Sequence, residues 1–378
     1  MKIAIDLTQI PKQLTGVGFY MENLIKGLAD IDHENRYYLF IKNESMPAFK
    51  VPNSNFKYII VPKYPYIIRV LWEQIILPFR LLFERVQLLH SPHYTIPWLG
   101  WWFKRAVTFP DLTFFLFPEM HLSWKVNYFQ NMMKISARVA DKIISISYST
   151  TRDMIDKLSI PPHKIATTQL AVSSKYKADI DKQKGKEVAV KYQLPSEYIL
   201  FIGTIEPRKN ILGLIKAYLL LPNLIRDKHK LVIVGKKGWH YDELFDFLSK
   251  IRNKEDIILL GYVSEEDLPY IYNYASLFVY PSFYEGFGIP VLEAMKSGVP
   301  VISSNVSSMP EVLGDAGILI NPNEPEEIKS AMEKALNDKS LSDKMRQEGI
   351  KQAQKFSWQR CAEETLAVYY DIIINREK

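Results

Sequence analysis

Short apolar runs alternate with amphipathic stretches along the chain. Lys2 to Leu7 reads as a strand, a loop carrying Gly16 and Gly18 follows, and Phe19 to Leu28 has the spacing of a helix. The alternation continues with strand-like Tyr37 to Ile41 and Lys57 to Val61, and with helix-like Ile67 to Glu84. Strand-like Val86 to His90 and Ala106 to Phe109 come next, then helix-like Val126 to Ala140 and strand-like Lys142 to Ser147. After Ala171 the pattern lapses into a polar, Lys-rich segment. It then resumes with strands at Tyr198 to Gly203, Leu231 to Gly235, Ile257 to Leu260, Leu277 to Pro281 and Pro300 to Ser303. Helices are expected between them at Ile211 to Leu220, Tyr241 to Lys250 and Glu265 to Tyr274. Pro290 opens a further helix at a permitted first-turn position, and Gly298 closes it. Such alternation builds parallel sheets covered by helices. The expectation is an α/β protein of two doubly wound domains, residues 1–172 and 196–356, joined by a hinge at 173–195. A last helical segment, 357–378, is expected to return to the first domain.

A length of 378 residues suits two such domains, and 47% apolar with 24% charged residues is ordinary for a folded globular chain. Cys361 is the single cysteine, so neither an internal disulfide nor a Cys-based zinc site can form. The N-terminus runs straight into a strand pattern rather than a signal peptide, which predicts a cytoplasmic location. The most hydrophobic region, Ile67 to Leu89, is broken by Arg69, Glu73, Arg80, Glu84 and Arg85 and is too interrupted to span a bilayer. Charge is uneven: residues 1–177 hold 22 Lys/Arg against 13 Asp/Glu, a net +9, and the remainder holds 26 against 29, a net −3. A basic half of this kind suits an anionic membrane surface, an anionic acceptor or nucleic acid, and equally a solvated surface.

In open parallel sheets, ligands sit beyond the carboxyl ends of the strands, where helix N-termini present free N–H groups. Three segments fall at such places. Gly203-Thr204-Ile205-Glu206-Pro207-Arg208-Lys209-Asn210 leaves a strand and enters a helix, so Arg208 and Lys209 are placed to meet a diphosphate. Plain surface charge explains such a pair as well. In Glu285-Gly286-Phe287-Gly288-Ile289-Pro290-Val291-Leu292-Glu293, the glycines permit close backbone approach and the following helix aims its N–H groups at the same place. Glu285 and Glu293 can each accept bonds from hydroxyls of a sugar or ribose while the backbone meets phosphate. Val291, Leu292 and Met295 crowd Glu293, and a charge among apolar residues requires a partner. The third segment is Thr15-Gly16-Val17-Gly18. It does not complete G-x-G-x-x-G, because Met21 holds the last position, and the chain contains no G-x4-G-K-[ST].

Taken together, these motifs resemble glycosyltransferase family 4, the large retaining group with the two-domain GT-B fold. The resemblance covers nearly the whole chain. It rests on the early Gly loop, His90-Ser91-Pro92-His93-Tyr94, Gly203 to Asn210, Gly261-Tyr262-Val263, and above all Glu285-x7-Glu293 enclosing Gly286-Phe287-Gly288. With Glu206-Pro207-Arg208-Lys209-Asn210 it is similar to the mannosyltransferase branch of bacterial surface-polysaccharide and lipopolysaccharide assembly. It implies two Rossmann-like domains facing a cleft, the first on the acceptor side and the second binding the donor. Arg208 and Lys209 would meet the donor diphosphate, Glu285 the hydroxyls of the transferred sugar and Glu293 the ribose. The backbone at Gly286, Phe287, Gly288 and Ile289 would contact sugar and phosphate. Gly203 would lie beside the donor, Gly16 would permit close approach of the N-terminal loop to it, and Tyr262 and Val263 would meet the base. Also implied are retention of anomeric configuration, no metal and no cofactor beyond the sugar nucleotide, with GDP-mannose the first choice of donor. The acceptor would be a glycan or lipid-linked glycan, and nucleic acid would not be a partner.

The pattern departs from the family at Thr108-Phe109-Pro110-Asp111, where many relatives carry a His-Asp pair. Proline supplies no side-chain hydrogen bond. Asp111 remains as a candidate for the acceptor side, or as a turn cap, and His93 is a second candidate there. Trp98, Trp101, Trp102, Phe103, Lys104 and Arg105 form an aromatic and basic cluster that suits either peripheral contact with an anionic membrane at the inner face of the cell or buried packing. Two other readings fit the same residues: a sugar-nucleotide epimerase on this fold, and a catalytically weak glycan- or nucleotide-binding component of a polysaccharide-assembly complex.

Overall fold

The computed structural model describes residues 1–12, 14, 16–239 and 241–374. Thr15 of the early Gly loop and residues 375–378 of the final segment lie outside the described residues. The chain forms two compact units, one of Met1–Leu170 with Ser357–Lys378 and the other of Ala171–Phe356.

The first unit is built on seven strands: β1 Lys2–Asp6, β2 Arg36–Ile41, β3 Phe56–Ile60, β4 Leu88–Ser91, β5 Lys104–Phe109, β6 Lys142–Ser145 and β7 Ile165–Thr167. They pair in parallel in the order β3-β2-β1-β4-β5-β6-β7. Strands covered on both faces need apolar residues at successive positions, and Ile3, Ala4 and Ile5 are all fully buried. The C-terminal helix Trp358–Ile374 belongs to this unit and lies against the helix Gly16–Ile31. Gly27 makes the approach possible, since a Cβ there would stand 2.9 Å from Ala362 Cβ and 3.0 Å from the Trp358 carbonyl. Tyr369 reaches from the same helix to His90 Nδ1 at 2.7 Å.

The second unit carries β8 Tyr198–Ile202, β9 Lys230–Val234, β10 Ile257–Gly261, β11 Leu277–Tyr280, β12 Val301–Ser304 and β13 Ile318–Ile320. These strands are also parallel, in the order β10-β9-β8-β11-β12-β13. The order of strands reverses between β8 and β11, which opens a crevice at their carboxyl ends. Both motifs singled out in this half, Gly203 to Asn210 and Glu285 to Glu293, follow those two strands. The Lys-rich segment expected as a hinge carries a helix, Lys182–Lys191, whose first N–H groups are capped by Asp181. Its Gly185 backs onto the Tyr274 ring within the second unit.

Candidate active site

The chain leaves β8 through Gly203 and tightens into a single 3-10 turn, Pro207–Lys209, before Asn210 enters the helix Ile211–Leu219 in left-handed geometry at φ 54°. Hydrogen bonds hold this turn against the segment after β11: the Phe283 N–H donates to the Arg208 carbonyl at 2.9 Å, and Arg208 donates back to the Tyr284 carbonyl at 2.7 Å. The adjacency of β8 and β11 therefore brings Arg208, Lys209 and Glu285 into one cluster. Lys209 Nζ lies 2.6 Å from Glu285 Oε1 and donates to Tyr280 Oη at 2.7 Å, while Arg208 lies 3.1 Å from Glu285 Oε2 and 2.6 Å from Glu206 Oε1. Lys209, Glu206 and Glu285 are all buried.

Burial pushes the Glu285 carboxyl up, but Arg208 and Lys209 overcome it and hold the group down at about 2. It is ionised and a weak base. Burial depresses Lys209, with Glu285 acting against the depression. Glu285 is also held through its backbone: its N–H donates to Ser307 Oγ at 2.8 Å, and the Ser307 and Ser308 hydroxyls donate to its carbonyl. Ser308 donates further to the Phe287 carbonyl at 2.7 Å, fixing the glycine turn. Gly288 has φ 110°, which requires glycine, and a Cβ there would also displace the terminal methyl of Met309, 2.3 Å away. The turn delivers the chain into the helix Ile289–Lys296, in whose first turn Pro290 carries no N–H and the Val291 N–H donates to the Gly288 carbonyl at 3.0 Å.

Glu293 sits one turn inside that helix, half-buried, and accepts from Tyr272 at 2.9 Å. Burial drives its carboxyl up to about 7 against the hydrogen bonds from Tyr272 and Tyr176. Beyond β10, Tyr262 is exposed and Val263 buried, with Lys236 Nζ 4.3 Å from the Tyr262 ring centre. The residues singled out in the second half thus gather along the carboxyl edge of β8 to β11. Glu206, Tyr280, Ser307 and Ser308 are added by the fold. Of these, only Glu206 lay inside a motif already read as functional.

The first unit holds the remaining candidates. Gly16 opens its helix with open space where a Cβ would point, so packing does not demand glycine there. Asp111 Oδ1 accepts from Tyr94 Oη at 2.7 Å, from the Thr113 N–H at 2.9 Å and from the Thr113 hydroxyl at 2.7 Å, which is the turn-capping alternative. His93 Nδ1 lies 3.2 Å from Gln9 Oε1, and burial lowers its pKa to about 4, so the ring is neutral at pH 7. His90 is fully buried, with Nδ1 on Tyr369 and Nε2 on Thr108 at 2.8 Å.

The second of two parallel Rossmann-like sheets thus carries, at its switch point, the buried Lys209 and half-buried Arg208 paired with the carboxylates of Glu206 and Glu285. The family follows from comparison: residues 14–174 match Glycosyltransferase Family 4 and residues 185–353 match Glycosyl transferases group 1. The chain is 36% identical over 394 residues to O-antigen chain mannosyltransferase B of Escherichia coli, covering 98% of this chain and 99% of that protein. In structure it is similar to sucrose-phosphate synthase of Thermosynechococcus elongatus, with a TM-score of 0.79, 18% identity and 99% of each chain covered. It is also similar to HepE of Anabaena, solved with UDP and glucose, with a TM-score of 0.76, 15% identity, and 98% of this chain and 99% of that one covered. The chain belongs to glycosyltransferase family 4. It is a retaining enzyme with the GT-B architecture that takes its sugar from a nucleotide donor.

Proposed function

We propose that this enzyme transfers mannose from GDP-mannose to a hydroxyl of a growing lipid-linked polysaccharide of the O-antigen type, at the inner face of the cell membrane. The observation that carries the reading is the cluster of Arg208, Lys209 and Glu285 at the β8–β11 crevice. The name of the Escherichia coli relative supports the choice of sugar and acceptor.

On this reading Arg208, Lys209 and the backbone of the turn Gly286 to Ile289 bind the diphosphate. They stabilise the charge that gathers on it as the bond from the anomeric carbon to phosphate oxygen breaks. Glu206 and Glu285 hold the two cations in place beforehand, so no reorganisation is needed at the moment of reaction. Glu285 accepts hydroxyls of the sugar, Glu293 accepts those of the ribose, and the side chains of Tyr262 and Val263 border the base. The acceptor oxygen bonds to the anomeric carbon, and its proton passes to the departing phosphate oxygen. Glu285, held down at about 2 by its two cations, is a weak base for that proton.

Changing Arg208 and Lys209 singly to Ala lowers turnover by about 10²-fold or more each, the scale seen when one preorganised donor to a developing charge is removed. Transfer is followed with radiolabelled sugar, and donor choice with a thermal-shift panel of GDP, UDP, dTDP and ADP sugars, since a ligand of the folded state raises its stability. Unchanged transfer in both variants would overturn the site. A sugar nucleotide altered in the absence of acceptor would point to epimerisation instead.

A further inference from the structure

The helical segment 66–83 presents apolar residues to solvent as well as to the core. It consists of helices Tyr66–Leu71 and Leu77–Phe83 joined by a π-turn at Trp72–Ile76. On its inner side Trp72, Leu77 and Leu81 pack into the core of the first unit, together with Glu73, 1% exposed and paired with Arg69 at 2.7 Å, and with Gln74 buried beside it. Ile67, Leu71, Ile75, Phe79 and Phe83 face solvent, Ile67 at 74% and Phe83 at 78%. These five recur every four residues. In an α-helix a four-residue repeat drifts about 40° per step. The π-turn, closed by the Leu77 N–H on the Trp72 carbonyl, takes more residues per turn and works against that drift.

Aromatic residues extend the stripe at both ends. Phe79 lies 6.2 Å from Trp102, which abuts Trp101, 89% exposed; Tyr66 lies 5.6 Å from the exposed Trp124. Folded chains rarely leave so long an apolar surface uncovered. The charge that residues 66–85 expose has one sign. Arg80 and Arg85 are exposed, whereas the segment's carboxylates are withdrawn: Glu73 is inside with Arg69, and Glu84 is paired with Lys57 at 3.1 Å. Contact with a second copy through this same face would set basic rim against basic rim.

We propose that this face rests in the headgroup region of an anionic lipid bilayer, with Phe79, Phe83 and Trp101 below the phosphates and Arg80 and Arg85 among them. Among the described residues no helix is long and apolar enough to cross a membrane, so the segment lies in the interface. Tryptophan and tyrosine at the ends of the stripe suit that depth. The inner side of the same helix lines a cavity of about 280 Å³, where Thr8, Gln9, Lys42 and Arg69 stand among Val61, Trp72 and Phe129. A head group held there would be one helix diameter from the lipid. That last step rests on the lipid-linked acceptor proposed above, while the docking itself does not.

Co-sedimentation of the full chain with phosphatidylglycerol/phosphatidylethanolamine vesicles, and with phosphatidylcholine vesicles, tests the docking. The expected result is at least tenfold stronger binding to the anionic set, falling at least tenfold in the Phe79→Ser/Phe83→Ser variant. Arg80→Glu/Arg85→Glu, which leaves all packing in place, loses the preference for anionic lipid. Both variants keep the wild-type circular dichroism spectrum and donor binding. Equal vesicle binding by wild type and the serine variant would overturn the proposal. So would a dimer in sedimentation velocity that the serine variant dissociates, with no vesicle binding by either. Loss of donor binding by the wild type would sink the glycosyl-transfer reading and leave the vesicle result standing.

Discussion

Glu285 and Glu293 belong to one nine-residue motif and titrate in opposite directions. With its carboxyl held down at about 2, Glu285 contributes stability that is present above pH 4.5 and is lost as pH falls towards 2. Glu293, raised to about 7, binds a proton in the folded state that the unfolded chain has already lost, so its contribution declines as pH rises from 4.5 through 7. A ribose hydroxyl is held more strongly by the ionised form. Donor affinity measured by calorimetry is therefore expected to rise severalfold from pH 6 to pH 8, with proton release on binding below pH 7. Glu293→Gln should abolish that slope and weaken binding by about 1.5–3 kcal/mol, the range for a hydrogen bond to a charged group. A pH slope unchanged in that variant would remove Glu293 from the donor site. At this scale the sequence revealed residues that stand in a run beside a strand end. Arg208, Lys209 and Glu285 were legible in that way, but their direct pairing was not, because it depends on β8 lying next to β11. Tyr280, Ser307 and Ser308 were missed for the same reason: each reaches Lys209 or Glu285 through the sheet order, which no local pattern encodes.

Elements were read most securely where burial on both faces forces continuous apolar runs, as in Tyr198–Ile202, every residue of which is buried. Three-residue strands such as β7 and β13 are too short to show a period and were not anticipated. The helix Lys182–Lys191 was hidden by its polar composition, since it buries little beyond Gly185 and Val188. Segment 66–83 was placed as a helix within a residue at each end, yet its pattern did not report that apolar residues line the outer side as well as the inner. The turn into Ile289–Lys296 offers the sharpest test of an element boundary. Gly288→Ala must adopt an unfavourable φ and displace Met309, so a loss of about 1–3 kcal/mol is expected in urea denaturation, with a larger fractional loss of donor affinity. A full-strength donor site in that variant would mean the backbone turn does not bind phosphate.

For the whole molecule, the alternating pattern announced two doubly wound sheets, and both are present with the same reversal of strand order. Only the second unit is continuous in sequence, as Ala171–Phe356. Expressed alone, it is expected to unfold cooperatively and to be stabilised by nucleotide, whereas residues 1–170 without Ser357–Lys378 should expose the face that Gly27 and His90 present to the last helix. Dye binding and calorimetry on the two fragments check this, and supplying the missing helix as a peptide should restore a cooperative transition to the first. The packing of Trp358–Ile374 on the helix Gly16–Ile31 also has a consequence on the ribosome. The half of the protein made first cannot close its core until the helix made after the entire second unit has emerged. Synthesis therefore leaves an apolar sheet waiting through almost two hundred further residues, the interval in which a chaperone would be needed most.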